Sequence, residues 1–322
     1  MELNQIVTSI QSKQEAIQSV YFVGCGGSKA DLYPGFYFLR SNAKKLIVGH
    51  YTANEFNYDT PAAVGENSIV ITCSLGGNTP ETVKATSLAK SLGAHVIAVT
   101  HEPESPLTKD ADYVVTHGFF ESYSAKMDKM TKILTLAVEI LNAFEGYDYY
   151  EQFMDGVEKI YGAIDEATKL LVPQAKAFGE AYKDAPVIYV MSSGATTEVA
   201  YSFSICLLLE MQWVNSGSFS DGEFFHGPFE IVEKDKPFLL LMNDGKTRPM
   251  DSRALDFLNR FEAKTTVVDA KDFGLANYVS KEVIDYFNPI LISGVLRVYA
   301  EQLAIARKHP LTKRRYMWKL EY

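Results

Sequence analysis

Five short apolar runs, rich in β-branched residues, punctuate the first half of the chain, with stretches of helical spacing between them. They are Val20-Tyr21-Phe22-Val23, Leu46-Ile47-Val48-Gly49, Ser68-Ile69-Val70-Ile71-Thr72-Cys73, Ala94-His95-Val96-Ile97-Ala98-Val99-Thr100 and Tyr113-Val114-Val115-Thr116. Continuous runs of this kind indicate strands of a parallel sheet covered on both faces. The second half repeats the plan with Val187-Ile188-Tyr189-Val190-Met191, Phe238-Leu239-Leu240-Leu241-Met242 and Thr265-Thr266-Val267-Val268-Asp269. Residues 126–144 read as a long amphipathic helix, and the polar, aromatic stretch 145–169 as helical. The expected division falls near 150–165 and is set between an N-terminal domain of residues 1–155 and a C-terminal domain of residues 156–322.

A chain of 322 residues accommodates one large or two medium domains. Its formal net charge of -9 argues against general nucleic-acid binding, and no Lys/Arg-rich arm is present. An anionic ligand must therefore be captured by local dipoles. Met1-Glu2-Leu3-Asn4-Gln5 lacks a basic stretch followed by an apolar core, so no secretory leader is expected. No uninterrupted apolar run reaches the ~18 residues of a membrane span. Cys25, Cys73 and Cys206 lie in apolar contexts without metal-type spacing, which suits buried thiols of a cytoplasmic protein.

The third apolar run ends in Ser74-Leu75-Gly76-Gly77-Asn78-Thr79-Pro80, and a helix pattern follows. Glycines let backbone N–H groups approach a ligand, and a helix N-terminus adds partial positive charge. Ser74 and Thr79 add hydroxyls, and Pro80 suits an early helical position. The same loop would also serve as an ordinary strand-to-helix turn capped by Thr79. It lacks the Gly-Lys-Ser/Thr signature of a nucleotide-binding P-loop. Gly24-x-Gly26-Gly27-Ser28 falls short of a dinucleotide fingerprint, because Lys29 stands at the third glycine position. The equivalent loop of the second half carries Asp244, which would repel phosphate, so one phosphate site per chain is expected.

On a helix over residues 197–213, Val199, Phe203, Cys206 and Glu210 follow α-helical spacing and share one stripe. A carboxylate on an apolar face costs several kcal/mol unless it is paired or its pKa rises. Glu210 is thus either a core carboxylate with a cationic partner or a base of raised pKa. A turn, Gly222-Glu223-Phe224-Phe225-His226-Gly227-Pro228, follows it. His226 could assist proton transfer, with Glu223 supporting the imidazole or merely capping the turn.

The loop Ser74-x-x-Gly77-x-Thr79, with Glu210 and the Gly222–Pro228 turn, resembles the sugar isomerase (SIS) domain proteins, including the isomerase half of glucosamine-6-phosphate synthase. The resemblance covers nearly the whole chain. It implies an α/β fold of two tandem SIS domains, each a mainly parallel five-stranded sheet flanked by helices in a flavodoxin-like three-layer arrangement. The segment from Asp221 to Val232 and the tail His309-Pro310-Leu311-Thr312-x-Arg314-Arg315-Tyr316-Met317-Trp318-Lys319-Leu320-Glu321-Tyr322 are similar to deglycases of 6-phosphorylated Amadori products. Those include fructoselysine-6-phosphate and fructose-asparagine-6-phosphate enzymes, the second closer in wording.

This resemblance implies that Glu210 and His226 are the catalytic pair, with His226 supplied by the neighbouring subunit of a homodimer. It also implies that Ser74 and Thr79 bind phosphate along with Gly76, Gly77 and Asn78. The synthase's middle serine is Gly76 here, leaving a backbone N–H for that contact, and its lysine one turn before the glutamate is Leu207. The loss of that lysine argues against the synthase reaction. Gly26, Ser28, Ser193 and Lys319 are further candidates for substrate contact. The basic tail of Lys313, Arg314, Arg315 and Lys319 would meet the substrate or stay solvated. The implied substrate is a phosphosugar-amine, which needs no cofactor or metal because its carbonyl already acidifies C1. An aldose–ketose or amino-sugar phosphate isomerase, and a non-catalytic sugar-phosphate sensor, are the competing readings.

Overall fold

The structure is a computed structural model and describes residues 1–321; Tyr322, the end of the tail motif, lies outside the described residues. The chain divides into two compact units, Met1–Glu158 and Lys159–Tyr322. The first contains α1 (Leu3–Lys13), β1 (Ser19–Gly24), α2 (Gly26–Asn42), β2 (Ile47–Thr52), α3 (Ala53–Tyr58), β3 (Ser68–Cys73), α4 (Pro80–Ser91), β4 (His95–Thr100), β5 (Tyr113–Thr116) and α5 (Tyr123–Phe144). Its five strands are all parallel, in the order β2-β1-β3-β4-β5. Every residue of β1 and β3 is buried, as their unbroken apolar runs require. The order reverses between β1 and β3, and at such a switch the crevice beyond the strand ends is the natural ligand position.

The division between the units falls within α6 (Tyr150–Leu170). The second unit continues with α7 (Val172–Tyr182), β6 (Val187–Ser192) and α8 (Thr197–Ser202), the last running into a π-helix over Phe203–Gln212. Then come β7 (Asn215–Ser220), β8 (Pro237–Met242), α9 (Arg248–Arg260), β9 (Lys264–Asp269) and α10 (Ile284–Ala306). This sheet has four parallel strands in the order β7-β6-β8-β9, where five were expected. After β9 the chain forms two short 3-10 turns, Ala270–Phe273 and Leu275–Asn277, separated by Gly274 at φ 66°. No β-branched run follows there to make a fifth strand. By contrast, β7 had no apolar signature: Asn-Ser-Gly-Ser-Phe-Ser is an edge strand that stays largely half-exposed.

Helix α10 is long and apolar enough, by length and composition, to cross a membrane, but 67% of that window is buried inside the protein. That is the pattern of a core helix. It packs against α7, where a Cβ added at Gly179 would stand 2.7 Å from the carbonyl oxygen of Gln302. Backbone on the far side of that contact leaves nothing to give way.

A buried polar knot joins the ends of the second sheet. Asp251, in the first turn of α9, accepts from the Asn243 backbone N–H at 3.0 Å, from Asn243 Nδ2 at 2.6 Å and from the Ser193 hydroxyl. Asn243 follows β8 and Ser193 follows β6. Asp221, just after β7, donates its N–H to the Ser192 carbonyl at 2.9 Å. Its carboxyl is 3% exposed, and neither oxygen finds a donor. The Asp251 carboxyl is its neighbour and helps to raise its pKa. Two buried carboxylates cannot both ionise at such a contact, so one must keep its proton. Asp251 has the donors, and Asp221 is therefore the acid. Burial, and then the Asp251 carboxylate, push Asp221 up to about 9. Burial also raises Asp251, against its donors and Arg248. Arg248 itself is held by Asp269 at 2.6 Å.

Two predictions follow from this packing. Gly179→Ala should cost about 1–3 kcal/mol of unfolding free energy, the scale of an overpacked contact. Gly162→Ala, in α6 with nothing within 4 Å, should instead stabilise by about 0.5–1 kcal/mol. Chemical denaturation of both variants checks the opposite signs. The second prediction concerns Asp221, whose folded pKa lies above its ordinary value of 3.8. Its contribution is complete below that value and is lost as pH rises toward about 9. Asp221→Asn keeps a donor to Asp251 at every pH. Its melting temperature should therefore gain on the wild type steadily between pH 5 and about 9, with a limiting slope of about 1.4 kcal/mol per pH unit. Parallel melting curves across that range would contradict the protonated Asp221.

Candidate functional site

In the first unit the loop after β3 is shaped as a cradle. Gly77 sits at φ 62°, where a Cβ would lie 1.9 Å from Ser105 Oγ, so glycine is obligatory. The loop is pinned to its neighbours by Ser74 N–H to Val99 O at 3.2 Å, His101 N–H to Leu75 O at 2.9 Å and Leu107 N–H to Gly77 O at 2.9 Å. Ser74 Oγ and Thr79 Oγ1 are 2.9 Å apart. Thr79 holds the N-cap position of α4, its hydroxyl accepting no hydrogen bond from the first turn, and Pro80 begins the helix. The first-turn N–H groups of α4, the paired hydroxyls and the exposed Gly76 and Asn78 gather several hydrogen-bond donors at one loop.

Behind it lies a cation with no sequence signal. Lys129, 3% exposed, pairs with Asp31 at 2.7 Å and stands 3.4 Å from Ser28 Oγ. Gly26, at φ 52°, opens α2 two residues before Ser28. Cys73 is fully buried and its thiol is pushed up to about 11 by that burial, whereas Cys25 and Cys206 are only half-buried.

The corresponding loop of the second unit is filled by the chain itself. Asp285 Oδ1 accepts from the Lys246 N–H at 2.7 Å, and Asn288 Oδ1 accepts from the Asp244 N–H at 2.7 Å. A Cβ at Gly245 would lie 1.7 Å from Asp285 Oδ1. The second loop thus cradles an internal carboxylate, in addition to carrying Asp244.

Glu210 lies in the π-helix, which changes the predicted stripe. The buried positions there are Phe203, Ser204, Leu207, Leu208 and Gln212, a repeat wider than the α-helical spacing. Val199 and Phe203 are buried as expected, but Cys206 and Glu210 turn to a half-buried face. The cation that pairs with Glu210 is Arg314 of the tail, at 2.7 Å; the two side chains are 22% and 8% exposed respectively. Burial raises the Glu210 pKa, and the attraction and hydrogen bond of Arg314 work against that rise.

The pair borders a cavity of about 520 Å³ whose lining includes Leu209, Trp213, Arg315 and Tyr316. Trp213 ends the π-helix in the left-handed region at φ 56°. Its indole meets His309 edge-on at 4.5 Å, and Arg315 and Lys313 stack on it at 4.3 and 4.9 Å. Lys319 donates to the Arg314 carbonyl at 2.7 Å.

The turn carrying His226 hangs from a buried anchor at each end of its first half. Asp221 is one, and Phe224 is the other, fully buried against Phe225 and Phe257. The His226 N–H donates to the Glu223 carbonyl at 2.9 Å. Both side chains are exposed, and among the described residues no hydrogen bond or ion pair joins Glu223, His226 and Glu210. Ser193 is buried and engaged with Asp251 and the Thr247 carbonyl.

Comparison with known proteins adds the relationship. The SIS domain matches residues 15–138. The chain is 41% identical to a Bacillus subtilis (strain 168) protein named fructosamine deglycase FrlB, over 96% of this chain and 94% of that one. It is 25% identical to fructoselysine 6-phosphate deglycase of Escherichia coli (strain K12), over 93% of this chain and 85% of that one. Among solved structures, a Salmonella typhimurium LT2 protein described as a candidate phosphosugar isomerase superposes with a TM-score of 0.96 at 42% identity, covering 99% of this chain and 96% of that one. With its doubly wound parallel sheets and a relative matched from end to end, the chain belongs to the SIS domain family.

Proposed function

We propose that the protein is a deglycase of 6-phosphorylated Amadori products, releasing glucose 6-phosphate and a free amino acid. The observation that carries this reading is the 41% identity to fructosamine deglycase FrlB across almost the full length of both chains. The loop of Ser74, Gly76, Gly77, Asn78 and Thr79 takes the phosphate, and its grip holds C1 and C2 in register. With His226 assisting, the sugar ring opens to the 2-ketose.

Glu210 removes a proton from C1, and the carbonyl oxygen at C2 takes up a proton, giving an enaminol. Protonation at C2 and loss of the nitrogen proton then leave an imine between C1 and nitrogen. Water adds at C1 and the C1–N bond breaks, so the sugar leaves as an aldose and the amino acid as an amine. A base of raised pKa suits the first step, because it holds the abstracted proton more firmly than an ordinary carboxylate does.

The enzyme works in the cytoplasm as a homodimer, and His226 serves the partner's Glu210. This accounts for an exposed imidazole on a firmly anchored turn. Isomerisation of a sugar phosphate on the same scaffold is the second reading, favoured by the description of the Salmonella structure.

Incubation with a panel of fructosyl-amino acid 6-phosphates, followed by enzymatic detection of glucose 6-phosphate, tests the reaction. Turnover of fructose 6-phosphate or glucosamine 6-phosphate, with none of the panel, would select the isomerase instead. Glu210→Gln and His226→Asn should each lower kcat by at least ~100-fold while circular dichroism stays native. Near-native turnover in either variant would remove that residue from the mechanism. Mixing the two inactive variants after subunit exchange should restore about a quarter of the wild-type activity if the site is shared, because half the dimers then carry one intact site. A mixture that stays inactive would place both residues in the same chain's site.

A further inference from the structure

Among the described residues, one cation lining the cavity beside Glu210 has no acidic partner. Glu210 and Arg314 cancel each other across 2.7 Å. Lys319 is turned to a backbone carbonyl. Arg315, the next residue in the tail, lines the same cavity but has no acidic partner among the described residues. Its side chain is exposed, with the guanidinium carbon 4.3 Å from the Trp213 ring centroid and 6.0 Å from that of Tyr316. Trp213 in turn is fixed by its left-handed cap and by His309. A stacked guanidinium keeps its edge N–H groups free, and that planar fork matches a carboxylate. The cavity thus offers a local unit of positive charge on a chain whose net charge is -9.

Resting on the deglycase reading, we infer that Arg315 binds the carboxylate of the amino acid that leaves, and so selects sugars joined through the α-amine. In such a substrate the carboxylate carbon is three bonds from C1, the atom that Glu210 deprotonates. Consecutive residues, Arg314 and Arg315, would then hold the base and the carboxylate. A sugar joined through a lysine side chain carries its carboxylate several bonds farther away and cannot reach both. The cavity's apolar wall, with Leu209 and Tyr316, leaves the amino-acid side chain less closely specified. The dianionic phosphate is the other anion in the substrate, and it suits the donor-rich loop in the first unit better than a single guanidinium.

The test uses the full-length protein and three substrates: Nα-fructosyl-lysine 6-phosphate, Nε-fructosyl-lysine 6-phosphate and a fructosyl-alkylamine 6-phosphate lacking any carboxylate. The wild type should favour the Nα compound over the alkylamine by about ten-fold or more in kcat/KM, chiefly through KM, the scale of a charge-assisted hydrogen bond. Arg315→Met should erase that preference and leave alkylamine turnover unchanged, and Arg315→Lys should keep part of it. An equal loss on all three substrates would mean that Arg315 supports the tail or meets the phosphate, and would overturn the assignment. So would a wild type that releases glucose 6-phosphate from all three equally, with the deglycase reading left standing. A wild type that releases it from none would instead bring down that reading and this inference together.

Discussion

A parallel strand buried on both faces has one place to offer chemistry, its C-terminal end, where the chain turns into a helix. The inner strands of both sheets are of this largely buried kind, and after β3 and β8 the chain turns into a loop that leads to a helix. What fills that loop separates the two units. In the first, Gly77 folds back against Ser105 and leaves Gly76, Asn78 and the start of α4 open. In the second, the Asp285 carboxylate and the Asn288 side chain already occupy the amides of Lys246 and Asp244. One scaffold thus yields an open loop and a filled one, with the difference made by side chains from α10. The acidic balance of the chain makes the distinction sharper, because an anion is drawn only where local donors are unspent.

The second unit spends its switch point on structure. Asp251 gathers donors from the ends of β6 and β8, and the protonated Asp221 adds the end of β7. Ser193 and Asn243 are consumed by that knot. The Asp221–Gly222 step leads directly into the turn with His226, so the knot fixes the base of a segment whose tip is exposed. A rigid root with a projecting imidazole is the form expected of a residue that acts on something outside its own fold, and it underlies the proposal that His226 serves a partner.

The buried parts of the fold were legible in the sequence. β1, β3, β4, β6 and β8 announce themselves because a strand covered on both faces must be apolar throughout. The edge strand β7 is not bound by that rule, and its Ser/Gly-rich sequence looks like a loop. The family resemblance implied five strands in each sheet, and the local composition after β9 forms no further strand in the second. At the site, the cradle residues were readable because glycine, hydroxyl and helix start lie within one short segment. The partner of Glu210 was not, since Arg314 belongs to the tail and no local spacing links the two. Lys129 and Asp31 were hidden for the same reason, as was Asp285. The π-helix escaped because α-helical spacing was assumed; the wider turn moves Glu210 off the fully buried face while keeping it near Cys206.

The Glu210–Arg314 pair also determines what a substitution at this glutamate can reveal. Arg314 is 8% exposed, its Nε has no hydrogen-bond partner, and two of its other contacts are to carbonyls of its own tail. Glu210 supplies its counter-charge. Truncating the glutamate to alanine would leave a buried guanidinium uncompensated, which typically costs about 3–5 kcal/mol, and would threaten the docking of the whole tail. Activity lost in that way would say little about proton transfer. Glutamine also removes the counter-charge, but it keeps a hydrogen-bond acceptor for Arg314 at the same length, so the tail retains a partner to dock on while the ability to take up a proton is lost. The reverse change is equally informative: with Arg314 replaced by an uncharged residue, burial acts on Glu210 unopposed, and its pKa moves further up. The tail therefore helps to set the state of this carboxylate, because the residue that pairs with it also limits how far burial can raise its pKa.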